Sequence, residues 1–388
     1  MAKLLETKNL VTNFYTYEGS VKALDNVSIS IDHGETFGLV GESGCGKSVT
    51  VRSVMRIIQS PGVIEGGEVL YCDDAEHPEQ CEDLLIKSEE AMRELRGDRI
   101  SMIFQEPNAA LNPVLTIGEQ VAESYMFHRQ RSMSRQILAD VESGKISFGI
   151  FSPLLKWAYR RASENPRAPA LRLMSKLPLL KLWGRPMRRE AVNRSVGIIE
   201  RLGISNAAEL VTRYPHNLSG GMKQRIVIAI ALACNPTLLI ADEATSNLDV
   251  TIQAQILELL QDLKERRAIS SVLLITHDLG VVAETCDRVG VMYAGILCEV
   301  ADVKTLFNNP VHPYTRALLN SVPRFCVEGE LATIEGSVPN LVHPPAGCRF
   351  HPRCKAASDI CKQEKPKLVD LGNGHSVACH HIDEKIGE

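Results

Sequence analysis

Several absences narrow the field before any motif is read. No run of about 18 apolar residues occurs anywhere in the 388 residues, so no transmembrane helix is expected. The opening MAKLLETKNL has neither an apolar h-region nor a cleavage site, and no secretory signal is read there. No internal repeat and no heptad pattern are visible. Neither sign of charge dominates: 43 Lys and Arg face 47 Asp and Glu, a net charge of −4, which gives no general reason to expect a nucleic-acid binder. What remains is ordinary for a soluble protein, 44% hydrophobic and 23% charged. The length is generous for one core and suits a main domain with a smaller one. Cysteine is the exception. There are 11, and four of them fall from Cys348 onward, a placement that argues for a local metal site rather than a disulfide framework. The chain reads as cytosolic.

Along the chain, residues 1–35 read as strands and turns, with VKALDNVSISI alternating as a half-buried strand does. ETFGLVGESGCGKSVTVRSVMRII reads as strand, glycine loop and helix. Later, IVIAIALA suits a buried helix, TLLIADE and SVLLITHD buried strands, and TIQAQILELLQDLKERR an amphipathic helix. Buried apolar strands alternating with helices imply a parallel, helix-covered sheet.

Residues 41–48, GESGCGKS, fit the pattern G-x-x-x-x-G-K-[ST]. Gly41, Gly44 and Gly46 let the backbone of Ser43, Cys45 and their neighbours fold into a nest of N–H groups, and the helix that starts near Val49 offers its positive end. Lys47 is placed to reach the outer phosphates of a nucleotide and the Ser48 hydroxyl to ligate Mg²⁺. A buried strand then delivers Asp242, the Walker B carboxylate, to the Mg²⁺ side. Glu243, directly after it, can orient or deprotonate an attacking water.

Between these elements stands LSGGMKQ, residues 218–224, where Ser219, Gly220 and Gly221 precede a helix and form a second anion-receptive N-terminus. The motif order resembles that of ATP-binding cassette ATPases. The resemblance covers roughly residues 4–130 and 190–385. It implies a P-loop NTPase α/β fold: a RecA-like core, an antiparallel β subdomain and a helical signature subdomain, followed by a small Cys-rich extension. It further implies that the signature of one subunit closes over the ATP held by another. Gln105 corresponds to the glutamine that contacts Mg²⁺ and faces the membrane partner, Asp249 to the loop that crosses the dimer interface, and His277 to the histidine that contacts the γ-phosphate. Tyr17 falls where the family stacks an aromatic on adenine, with Tyr15 as a near alternative. ALNPVLTIGEQVAE and NPVHPYTRALLNSVP are similar to segments of the oligopeptide, dipeptide and nickel importer ATPases. That branch implies two permease subunits, a second ATPase chain that is usually distinct, and an extracytoplasmic binding protein. Ala244-Thr245-Ser246-Asn247 departs from the commoner Pro-Thr-Thr-Ala but touches no catalytic group. The expected division is an ATPase domain over 1–320, its helical subdomain about 106–235, and an extension over 321–388.

Cys348, Cys354, Cys361 and Cys379 can close a Zn²⁺ site or hold an iron–sulfur cluster, and their spacing alone does not choose. The resemblance implies a [4Fe-4S] cluster; the role expected of it is to staple a small, core-poor extension, with redox sensing as the alternative. The other cysteines show no ligand spacing and read largely as small apolar residues. Residues 131–187 form a basic insertion, with Arg172, Lys176 and Lys181 among its cations. It reads as a helical elaboration, and a lipid-facing amphipathic segment is the alternative.

Overall fold

The computed structural model describes residues 2–77, 80–146, 152–166, 168, 184–244, 250–265, 269–321 and 334–382. Contacts divide the chain into two compact units. The first comprises Met1–Arg96, Thr237–Ser246 and Leu260–Glu388, and the second Gly97–Pro236 and Asn247–Leu259. In chain order the strands are β1 (Lys3–Thr16), β2 (Gly19–Val27), β3 (Ser30–Asp32), β4 (Thr36–Val40), β5 (Gly62–Tyr71), β6 (Glu82–Asp83) and β7 (Ile100–Ile103). There follow β8 (Leu238–Asp242), β9 (Ser271–Ile275), β10 (Arg288–Tyr293), β11 (Ile296–Asp302), β12 (Val369–Asp370) and β13 (Ser376–Val377).

In the first unit one antiparallel sheet runs β2-β1-β5-β6, with β3 beside β1. A larger sheet runs β12-β13-β11-β10-β4-β9-β8. Its centre is parallel, β10 on β4, β4 on β9 and β9 on β8, as the apolar runs predict. TFGLV, LLIAD and SVLLI are buried at every position, which is what strands covered on both faces require. The flank is antiparallel: β11 turns back on β10, and β13 and β12 from the C-terminal segment continue it. Residues 334–382 therefore pack within the same unit as the glycine loop.

The second unit is mainly helical. Thr116 begins the helix Ile117–His128 with a reciprocal capping box to Glu119. The basic insertion supplies Gln130–Glu142 and Ser152–Glu164, which pack on each other, and Met133, Ile137, Leu155 and Tyr159 are among their buried residues. Leu154 and Trp157 stay exposed. Arg172, Lys176 and Lys181 lie outside the described residues. No described helix is long and apolar enough to cross a membrane.

One covalent feature departs from the sequence reading. Cys72 and Cys81, taken with the cysteines outside the cluster, form a disulfide. The pairing of Tyr71 with Glu82 across β5 and β6 explains it, because the two cysteines directly follow and precede that pair. Cys45, Cys234, Cys286 and Cys298 are buried free thiols, and Cys326 lies outside the described residues.

Candidate functional site

The glycine loop joins the end of β4 to the helix Lys47–Val54. Gly41 has φ +149°, and a Cβ there would stand 2.1 Å from the Met292 carbonyl oxygen, so only glycine fits. Gly46, at φ +105°, is the left-handed residue from which the helix starts. Lys47 is 4% exposed, and its Nζ donates to the carbonyls of Gly41 (2.8 Å) and Glu42 (3.1 Å). A cation is thus held inside the curl of the loop, next to the helix N-terminus, which suits an anion with several oxygens.

β8 brings Asp242 to the same place. Ser48 Oγ donates to Asp242 Oδ1 at 2.8 Å, although 194 residues separate them. Asp242 is 1% exposed, and its Oδ2 is buried without a hydrogen-bond partner among the described residues. Burial raises its pKa, and the Ser48 hydrogen bond works in the opposite direction. An orphan carboxylate oxygen beside a serine hydroxyl is a hard oxygen pair that fits Mg²⁺ held jointly with phosphate.

Glu243 follows at φ +47°, a left-handed conformation uncommon for a residue with a side chain. Its N–H donates to the Ile275 carbonyl at 3.0 Å, which fixes it to the end of β9. His277, two residues past that strand, places Nδ1 3.9 Å from Glu243 Oε1 while its ring stays exposed. Asp278 then caps the helix Leu279–Thr285 through Gly280 and Val281. The structure therefore gathers Gly41, Ser43, Gly44, Cys45, Gly46, Lys47, Ser48 and Val49 in one loop and helix start. It joins Asp242 to that loop, and Glu243 to His277.

The other expected residues are placed as follows. Tyr17, at the turn between β1 and β2, is 97% exposed, whereas the Tyr15 hydroxyl is engaged with the Glu65 carboxylate. Gln105 follows β7 in the second unit and is exposed. In that unit Ser219 caps the helix Gly220–Leu232, its Oγ accepting from the Met222 N–H, and Gly220 is exposed with Gly221 half-buried behind it. Asp249 lies outside the described residues.

Cys348, Cys354, Cys361 and Cys379 line one small cavity together with His312, His351, His380 and His381. Burial lifts the Cys348 thiol to about 11, and the neighbouring cysteines push it the same way. Among the described residues no three Cys, His, Asp or Glu side chains stand close enough to share a single metal ion.

Sequence reasoning missed what stands behind the loop. Tyr314, Tyr293 and Phe350 form an aromatic cluster with centroids 4.7–5.3 Å apart. The Glu42 N–H donates to the Tyr314 hydroxyl at 2.9 Å. The available signal was the His-Pro-Tyr segment, which the sequence offers only as a family mark. Its histidine caps the helix Pro313–Asn320 through the Tyr314 N–H.

Comparison with known proteins places the chain in a family. The model of the ABC transporter family matches residues 24–246, and that of the oligopeptide/dipeptide transporter C-terminal region matches 298–361. The oligopeptide transport ATP-binding protein AppD of Bacillus subtilis is 41% identical over 100% of this chain and 99% of its own length. The probable peptide ABC transporter ATP-binding protein y4tR of Sinorhizobium fredii is 41% identical over 99% and 96%. Among solved structures, a dimeric ATP-binding cassette in a post-hydrolysis state with ADP and Pi aligns with a TM-score of 0.54 at 23% identity. It covers 77% of this chain and 99% of its own, and that likeness speaks for the fold alone. The chain belongs to the ABC transporter family and carries the ATP-binding cassette fold with the oligopeptide/dipeptide transporter C-terminal region.

Proposed function

We propose that this chain is the ATP-hydrolysing subunit of a membrane importer for di- and oligopeptides, seated on the cytoplasmic face of the membrane. One observation carries the catalytic part: the Ser48–Asp242 hydrogen bond, with a buried orphan Asp242 oxygen, beside a loop that encloses Lys47. Full-length relatives named for peptide, oligopeptide and dipeptide transport support the cargo. Nickel or oligosaccharides are the alternative cargo for the same machinery.

In this reading the loop from Gly41 to Val49 holds the phosphates of ATP, and Lys47 pairs with the outer ones. Ser48, Asp242 and Gln105 hold Mg²⁺, which neutralises charge on the phosphate oxygens when bound. Glu243 orients the attacking water and accepts its proton. His277 and Gln105 contact the γ-phosphate side, and Tyr17 stacks on adenine. Ser219, Gly220 and Gly221 reach the ATP of a partner ATPase across an interface to which Asp249 belongs. Phosphoryl transfer depends on positioning and charge neutralisation, so residues from two chains can share one reaction. The partners are a second ATPase chain, two permease subunits and an extracytoplasmic binding protein, with no nucleic acid involved. Residues 1–320 form the ATPase and 321–388 the extension.

We assign a [4Fe-4S] cluster to Cys348, Cys354, Cys361 and Cys379. All four line one cavity, and this shared lining together with the family resemblance supports the reading, with Zn²⁺ as the alternative.

The test is Glu243→Gln in the purified transporter. Steady-state hydrolysis is expected to vanish while ATP stays bound; surviving turnover would remove Glu243 from its role. Copurification of the native chain with permease subunits is expected, and with ribosomes or DNA instead, the importer reading fails.

A further inference from the structure

The phosphate loop is gripped from behind by the C-terminal extension. Arg353 Nη1 donates to both carboxylate oxygens of Glu42, at 3.0 and 3.1 Å, and to the Tyr293 hydroxyl at 3.3 Å. The rest of the guanidinium is fixed as firmly, Nε on the Glu335 carbonyl at 2.9 Å and Nη2 on the Ile334 carbonyl at 3.0 Å. The Arg353 side chain is 5% exposed. A guanidinium with every nitrogen engaged and almost no water contact is a built feature, unlike an ordinary surface ion pair.

A second arginine of the extension reaches the same region. Arg349, 1% exposed, donates to the Ala294 and Lys22 carbonyls and to Asp25 Oδ2 at 2.9 Å. The next residue along, Gly295, sends its N–H to the Cys45 carbonyl of the loop at 2.8 Å. Both arginines flank cavity cysteines, Arg349 after Cys348 and Arg353 before Cys354.

Glu42 explains why such a grip is needed. It places a carboxylate within a loop whose business is to receive a polyanion, and an unpaired charge there repels the nucleotide. Pairing with Arg353 cancels that charge and fixes the Glu42 peptide, whose N–H is already committed to Tyr314. We infer that Arg353 is a positioning residue for nucleotide binding, through which the C-terminal extension sets the ATP affinity of the phosphate loop by neutralising and holding Glu42.

This inference rests on the ATPase reading above. It is tested by a double-mutant cycle on the full chain with a fluorescent ATP analogue, together with KM and kcat in the assembled transporter. Arg353→Ala is expected to weaken affinity and raise KM about tenfold, the size of one charge-assisted hydrogen-bonded pair, with kcat within about twofold. In the Glu42→Gln background the same substitution is expected to change affinity less than about twofold. An unchanged affinity in Arg353→Ala, or an equal loss in both backgrounds, overturns the proposal. If Arg353→Ala does not fold, Arg353→Lys takes its place in the cycle, and the same criterion of coupling to Glu42 applies. A wild-type chain that neither binds nor hydrolyses MgATP would sink the ATPase reading itself; a competent wild type with uncoupled variants sinks only this inference.

Discussion

At the residue scale, Glu243 holds the least comfortable backbone among the described residues of the site. Its left-handed conformation, at φ +47°, lies immediately after the strand that carries Asp242. An L-residue in that region costs about 1 kcal/mol or more relative to glycine. Glu243→Gly and Glu243→Ala both delete the carboxylate, so neither should hydrolyse ATP, but their stabilities should differ. The glycine variant is expected to be about 1 kcal/mol more stable in denaturant titration. Equal stabilities would mean that the backbone is not held left-handed. The acid pair Asp-Glu was legible in the sequence because a buried apolar strand led into it. The strain was not, because nothing in the letters around Glu243 marks a positive φ.

At the scale of elements, the buried strands were the most readable part: TFGLV, LLIAD and SVLLI are mostly apolar, buried at every position and paired in parallel. The disulfide between Cys72 and Cys81 was not readable, since it depends on the register of β5 against β6. The tie between β2 and the C-terminal segment escaped for the same kind of reason. Asp25 on β2 meets Arg349 and Lys365 from more than 300 residues away, and no local pattern announces it. Burial raises the Asp25 pKa, but the Lys365 hydrogen bond and the Arg349 charge outweigh it and leave the carboxylate below its ordinary 3.8. A depressed carboxylate contributes stability that is fully present above that value and is lost as pH falls through its folded value. Asp25→Asn is therefore expected to cost about 2 kcal/mol at pH 7. The gap to wild type should narrow in titrations below about pH 4; a gap that is constant with pH would contradict the pairing.

At the scale of the whole molecule, the sequence motifs were read as parts of one machine, yet they fall in two compact units. The phosphate loop, Asp242, Glu243 and His277 belong to one, and Gln105 and the Ser219 helix cap to the other. Motif order carried the family, while the division into units reflects contacts that order does not encode. If the signature acts on a partner's nucleotide, the diluted isolated chain lacks those donors at its own ATP. It is then expected to bind MgATP but to turn it over at least about a hundredfold more slowly per site than the assembled transporter, comparable to losing an oriented donor set. Full turnover by the dilute chain, measured by phosphate release, would contradict a shared site.

The extension's integration into the nucleotide-binding unit has a practical corollary for anyone who cuts and joins such chains. A fragment ending near residue 320 is missing a wall, since Arg353 and Arg349 would no longer stand behind Glu42 and Asp25. Conversely, grafting residues 321–388 onto a foreign cassette transfers sockets without plugs unless acidic residues wait at both positions. Portability here belongs to the pair of surfaces, and the tail alone is not a module.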